Sequence, residues 1–150
     1  MQVSQRCQYA LRALFELAKR RGTGPASVAE IAAAQALPAR FLETILQSLT
    51  KSGEVASRRG TRGGYLLTTD PREITVGDVI RRFDGTMAPV NCTEGSSSRC
   101  CPLRARCAFS KLWDRARRAV EDVYDTITLQ DLIDDERSAA DEPNSLTYFV

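Results

Sequence analysis

The chain of 150 residues contains no histidine. That removes the imidazole of a Ser/His/Asp hydrolase and one of the two usual ligand types of zinc. No Cys-x-x-Cys pair is present either, so the usual spacing of a zinc site is absent. No apolar run approaches the ~20 residues of a membrane span. No internal repeat, cofactor-binding glycine loop or catalytic carboxylate pair is visible. The stretch MQVSQRCQYALRALF lacks the apolar run and small-residue cleavage site of a signal peptide. These absences lead us to expect a cytoplasmic protein that is not an enzyme, has no small-molecule substrate and does not enter membranes.

Cysteine is scarce, with five in the chain, yet four of them fall in NCTEGSSSRCCPLRARC at 91–107. A chain of this length buries a core without disulfide staples. Its apolar fraction of 43% and charged fraction of 27% are ordinary for a globular protein. In a reducing compartment a cysteine cluster points to metal or redox chemistry more often than to a disulfide. A disulfide knot, a metal or cluster site and coincidence all remain open at this point.

Net charge is +2 but unevenly spread. Residues 1–65 hold ten Lys/Arg against four Asp/Glu, a balance of +6; residues 66–150 hold eleven against fifteen, a balance of −4. A basic first half suits a polyanion such as nucleic acid. Two merely solvated surfaces would give the same numbers.

Residues 4–20 predict an amphipathic helix, with Cys7, Ala10, Leu11, Leu14, Leu17 and Ala18 at three- and four-residue steps. RGTGP at 21–25 ends it. Ser27-Val-Ala-Glu30 has the form of a capping box and starts a short helix to about Ala34. QALP then turns the chain. Pro38 suits the first position of the next helix, where its missing N–H goes unneeded. That helix places Phe41, Leu42, Ile45 and Leu49 on one face and stops near Gly53. EVASRRGTRGGYLLT follows as a strand, a Gly- and Arg-rich tip and a returning strand. Gly60, Gly63 and Gly64 permit backbone angles that bulkier residues resist. Helix, turn, helix and hairpin in this order are the layout of a winged helix. Thr75-Val-Gly-Asp78 caps another helix, with Val76, Val79, Ile80 and Phe83 inward. A long helix is expected from about Pro102 to the mid-120s. Phe109, Leu112, Trp113, Ala116, Val120, Val123 and Ile127 give it a continuous apolar seam, which needs the rest of the domain or a second copy as cover. TLQDLI closes the ordered part, and the polar residues after it read as a loose tail.

These pieces resemble the Rrf family of bacterial winged-helix transcription regulators, which contains iron–sulfur cluster regulators and nitric-oxide-responsive repressors. The resemblance rests on YALRALFELA, on IAAAQALPARFLETILQSLTKSGEVASRRGTRGGYLL, on ITVGDVIRRFDG, and on the cysteine stretch with CAFSKLW and TLQDL. It covers roughly residues 1–134. It implies a mainly α fold with a small β-hairpin: a winged helix-turn-helix domain (1–84), a cysteine-rich cluster loop (85–101), a dimerisation helix and C-terminal helix (102–134) and a flexible tail (135–150).

The resemblance also implies three cysteine ligands to an iron–sulfur cluster, which map to Cys92, Cys101 and Cys107. Cys107 is placed by Trp113, six residues on, and Cys101 lies six before it. The Cys92-to-Cys101 interval is longer than the family pattern, so Cys100 is an alternative middle ligand. Thiolates are the soft ligands such clusters take, and Arg99, Arg104 and Arg106 favour them electrostatically. The family's histidine, three residues after the last cysteine, is Ser110 here. Its alternative, a carboxylate from the partner's first helix, is Gln8. Cys7 beside it is either a substitute reaching across a dimer or a small packed residue. The absence of histidine points to a 4Fe–4S cluster over 2Fe–2S. A zinc site and a reactive-thiol sensor without cluster remain the alternatives.

For DNA, the expectation is a homodimer on a near-palindromic operator, acting as a repressor that responds to iron, redox or nitric oxide status. The helix from Pro38 enters the major groove, with Arg40 on guanine, Glu43 on cytosine and Ala39 in apolar contact. Arg40 and Glu43 pairing with each other is the plainer alternative. Arg59 and Arg62 reach the minor groove from the wing tip. Arg58 and Lys51 contact phosphate, and Gly63 and Gly64 let the backbone approach one. A regulator with vestigial cysteines that partners an enzyme would share this fold, and an iron–sulfur electron carrier would leave the wing unexplained.

Overall fold

A computed structural model describes residues 2–60, 63–90 and 106–141. Helix α1, Gln5–Lys19, runs through the centre. Ser4 caps it by accepting a hydrogen bond from the Cys7 amide at 3.1 Å. Its stripe of Cys7, Ala10, Ala13, Leu14, Leu17 and Ala18 is buried. The remaining elements pack around that stripe.

Helix α2, Val28–Ala34, opens with the expected capping box: Ser27 Oγ accepts from the Glu30 amide at 3.2 Å, and Glu30 accepts from the Ser27 amide at 2.7 Å. A turn leads to α3, Ala39–Lys51. Pro38 stands at its N-cap and not at its first helical position; its φ of −71° feeds the chain in, and its carbonyl accepts from the Phe41 amide at 3.1 Å. Leu42, Ile45, Leu46 and Leu49 form the buried face. Phe41, expected inward, is 47% exposed. It lies about a quarter-turn from the centre of the buried stripe, and Leu46 completes the face instead.

Strands β1, Val55–Arg58, and β2, Gly64–Leu67, pair antiparallel with Val55 opposite Leu67 and Arg58 opposite Gly64. The hairpin is tied to the start of α2 by two backbone hydrogen bonds between Ala26 and Tyr65, at 2.8 and 2.7 Å. A short 3₁₀ turn, Pro71–Glu73, precedes α4, Val76–Asp84, whose Thr75/Asp78 capping box also forms as expected. Val76, Val79 and Ile80 are buried, and Phe83 packs half-buried beside them.

Helix α5 spans Ser110–Thr126, so its start lies well beyond the expected Pro102, and Arg106–Phe109 are not part of it. Periodicity fixes which face of a helix is apolar but not its first residue. Here no side chain caps the start, and the Cys107 carbonyl accepts from the Ser110 amide at 3.2 Å. Helix α6, Leu129–Asp141, corrects the expected loose tail over 135–141. Thr128 and Asp131 cap it reciprocally, at 2.8 and 3.2 Å, and Glu136 pairs with Lys19 of α1. Leu129 and Ile133 enter the core that α1 organises. Residues 142–150 of that tail lie outside the described residues.

Gly64 is required by close approach. A Cβ there meets the Ala26 carbonyl oxygen at 2.5 Å. Both sides of that contact are backbone, so neither swings away. We predict that Gly64→Ala costs about 2 kcal/mol of stability, read from urea unfolding by circular dichroism. An unchanged midpoint would show that the wing moves independently of α2.

Candidate nucleic-acid interface

The orientation of α3 is set from beneath by one buried carboxylate. Glu16 on α1 is 5% exposed. It accepts from Arg20 Nε at 2.5 Å and from Gln35 Nε2 at 3.0 Å. Gln35 belongs to the turn between α2 and α3, and its carbonyl also accepts from Arg12 at 3.2 Å. The next residue, Ala36, adopts φ +51°, and Leu37 is buried, so the turn is clamped on both sides of a strained residue. Burial pushes the Glu16 carboxyl up, but hydrogen bonds from Arg20 and Gln35 and the charges of Arg20 and Lys19 outweigh it. The carboxyl is held below its ordinary value.

With its apolar face thus fixed, α3 turns Ala39, Arg40, Glu43 and Lys51 to solvent. Arg40 lies over the Phe41 ring, 4.5 Å from its centroid, and does not pair with Glu43. The wing presents Arg58 and Arg59, both exposed. Among the described residues, Arg40, Lys51, Arg58 and Arg59 make no ion pair, whereas Arg20, Arg21, Arg81 and Arg82 each have a carboxylate partner. Gly63 and Gly64 have structural reasons to be glycine: a Cβ on Gly63 meets the Arg58 carbonyl oxygen at 2.3 Å. Arg62 lies outside the described residues.

The expected ligands divide. Cys92, Cys100 and Cys101 lie outside the described residues, as do Arg99 and Arg104. Cys107 is a half-buried free thiol just before α5. Among the described residues, no three His, Cys, Asp or Glu side chains are grouped to hold a metal ion. Cys7 is fully buried, with Sγ 4.0 Å from the Val79 carbonyl oxygen. Burial, then the Asp84 carboxylate, pushes its thiol up to about 12. A buried, protonated thiol offers no thiolate to a partner subunit. Of the two roles open for Cys7, its burial in the core suits the packed residue.

Two features have little signal in the sequence. One is the Glu16–Gln35 clamp. The other is Asp84, whose carboxylate accepts from the Ser4 amide at 2.8 Å and from the Ser4 hydroxyl. A mid-helix Glu on an otherwise apolar face was the available hint for the first.

Helix α5 buries none of its residues fully. Phe109, Leu112 and Val123 are 60%, 52% and 54% exposed. Phe109 and Trp113 stack with centroids 6.4 Å apart. Val120, Tyr124 and Ile127 lean on the core. The expected seam is thus divided between the core and an uncovered face.

A helix-turn-helix tied to a short wing, with a long helix beside it, defines a winged-helix regulator. A family model described as "Rrf2: Iron-dependent Transcriptional regulator" matches residues 3–135, and the chain belongs to that family. The HTH-type transcriptional regulator CymR of Bacillus subtilis is 39% identical over 132 residues, 88% of this chain and 89% of CymR. A solved structure of CymR, described as the global cysteine regulator of B. subtilis, superposes with a TM-score of 0.72 at 38% identity, covering 88% of this chain and 95% of that one. The IscR of T. potens superposes with a TM-score of 0.75 at 34% identity, covering 99% and 97%. The mainly α winged-helix fold expected from the sequence is the fold of these regulators. No helix among the described residues is long and apolar enough to cross a membrane.

The Glu16 clamp has a pH signature. Because the folded carboxyl is depressed, its stabilisation is complete above the unfolded value of about 4.3. It is lost as pH falls through the lowered folded value. Glu16→Gln is therefore expected to melt below wild type at pH 7, with the gap closing toward pH 3. A gap independent of pH, in thermal melts at pH 7, 5 and 3, would assign the loss to packing.

Proposed function

We propose that the chain is a homodimeric, DNA-binding repressor controlled by an iron–sulfur cluster. The observation that carries the DNA part is the set of exposed, unpaired cations on α3 and the wing. Charges with carboxylate partners serve the fold; these four are free for phosphate and bases. α3 enters the major groove from Pro38, with Ala39 against a base or sugar. Arg40 donates two hydrogen bonds to guanine, already oriented by the Phe41 ring, and Glu43 accepts from cytosine N4. Lys51 and Arg58 meet phosphates, which gives affinity and salt dependence. Arg59 and Arg62 reach into the minor groove. Gly63 and Gly64 keep the wing thin at its approach to the backbone.

The uncovered face of α5 supports the dimer. Its 17 residues span about 25 Å and carry large apolar side chains outward, which a second copy buries. A two-fold dimer reads a near-palindromic operator.

The cysteines fit an iron–sulfur cluster by the chemistry of the donor set. Three thiols, Cys92, Cys101 and Cys107, are soft ligands, with Cys100 as the alternative middle one. Without histidine and without Cys7, no fourth protein ligand is evident, which favours 4Fe–4S with a labile site. Such a cluster, when bound, supplies a centre sensitive to iron supply, oxidants and nitric oxide. The chain's own contribution is position in the sequence: the cysteine segment joins α4 to α5. A second reading is a cluster-free thiol regulator. It is favoured by the half-buried free thiol of Cys107 and by the likeness to CymR.

Two outcomes are expected. Arg40→Ala lowers discrimination at one base pair by about 1–3 kcal/mol, measured by competition between duplexes differing at that pair. Uniform weakening across all sequences would reassign Arg40 to phosphate. Protein purified without oxygen shows broad visible absorbance that bleaches in air, and Cys92→Ala or Cys107→Ala abolishes it. Protein still colourless after anaerobic reconstitution with iron and sulfide would favour the thiol reading.

A further inference from the structure

A cavity of about 300 Å³ opens between the first turn of α1 and the first half of α3. Gln5, Arg6, Tyr9, Phe41, Thr44 and Ile45 line it. The lining has two chemistries. Tyr9, Phe41 and Ile45 give it an apolar floor. Gln5, Arg6 and Thr44 add neutral donors and a cation.

Arg6 is the notable member. It is exposed, and its guanidinium lies 5.3 Å from the centroid of the Phe83 ring. Among the described residues no carboxylate pairs with it. Asp84, the residue after Phe83, is engaged by the Ser4 amide and hydroxyl. Stacking on Phe83 restrains the guanidinium without neutralising it, so its charge remains available.

The cavity is continuous with the base-reading surface. Phe41, in its wall, is the ring that carries the Arg40 guanidinium. Its occupant therefore lies next to whatever Arg40 reads. A nucleic-acid backbone matches both chemistries, since deoxyribose is largely apolar and the phosphodiester carries one negative charge. We propose that α1 is a third DNA-contacting element. Arg6, with Gln5 and Thr44, grips one phosphodiester flanking the bases read by α3, and the adjoining sugar packs on Tyr9 and Phe41. This rests on the reading that α3 enters the major groove. Because α1 is also the centre of the core, a phosphate held there fixes the tilt of the whole domain over the groove, a positioning contact and not a reading one.

The test uses the full chain and two DNA probes. One is a duplex recovered by selection from a random-sequence library; the other is the same duplex scrambled. Binding is followed by fluorescence anisotropy from 50 to 300 mM KCl, an interval of about sixfold in salt over which each phosphate contact is visible. Arg6→Gln is expected to weaken both duplexes equally, by roughly tenfold or more, and to flatten the log Kd against log salt slope by about 1.8, about 0.9 for each of the two Arg6 side chains of a bound dimer. Arg6→Lys retains most of the slope. Gln5→Glu, which sets a carboxylate against the phosphate, weakens both duplexes as well. A wild-type slope in Arg6→Gln, or an effect confined to the selected duplex, overturns the proposal. If Arg40→Ala leaves discrimination between the two duplexes unchanged while Arg6→Gln behaves as expected, the base-reading role of Arg40 fails and the phosphate contact of Arg6 stands.

Discussion

The fold depends on burying one face of α1. Ala10, Ala13 and Ala18 keep that face shallow, so α3, α4 and α6 approach closely, while Leu14 and Leu17 fill the space between them. A fully buried leucine in such a place is worth about 2–5 kcal/mol. Total stabilities of domains are about 5–15 kcal/mol. Loosening α1 is therefore nearly equivalent to unfolding the protein. The Cys7 thiol belongs to this constraint. It fills a small volume between α1 and α4 and, at neutral pH, behaves as an apolar group.

Local signals were legible in the sequence, and long-range ones were not. The Ser27/Glu30 and Thr75/Asp78 boxes could be read because both partners lie within four residues. The turn, the reading helix and the wing followed from spacing and from glycine and proline. Phe41 was misplaced because an apolar residue at the edge of a stripe looks like a member of it. The start of α5 and the helix over the polar tail were missed for a related reason. Neither depends on periodicity: one begins without a side-chain cap, and the other is held by Leu129 and Ile133 and by a Lys19–Glu136 pair across more than a hundred residues. Among the candidate site residues, the α3 and wing cations could be named from sequence, and the structure adds that Arg40, Lys51, Arg58 and Arg59 are exposed and make no ion pair. Arg6 could not be singled out, because nothing in the local sequence shows that it shares a cavity wall with Phe41.

Charge divides the surface by function. The arginines with carboxylate partners brace elements: Arg20 and Glu16 hold the turn before α3, Arg21 and Asp70 hold the approach to α4, and Arg81 and Asp125 join α4 to α5. Gly77 lets that last junction close, since a Cβ there would collide with the Asp125 carboxylate. Unpaired arginines stand on α3, the wing and the first turn of α1, and among the described residues also at Arg12, Arg72, Arg106 and Arg115. The modest net charge of +2 conceals an uneven spread along the sequence, +6 over residues 1–65 against −4 over the rest. Exposed ion pairs contribute little stability singly. Their larger effect here is to set how the elements meet.

Asp84 moors the end of α4 to the start of α1. It is the last residue of α4, and it fastens the residue that caps α1. The chain departs immediately afterward, at Gly85, toward Cys92, Cys100 and Cys101. What departs from there leaves from a fastened end of the central helix and not from a slack joint. A displacement of Asp84 loads a latch, and behind that latch is a rod whose far side holds the turn before α3 through Glu16 and Gln35. In a molecule so built, the end of α4 and the turn before α3 are spanned by one stiff part.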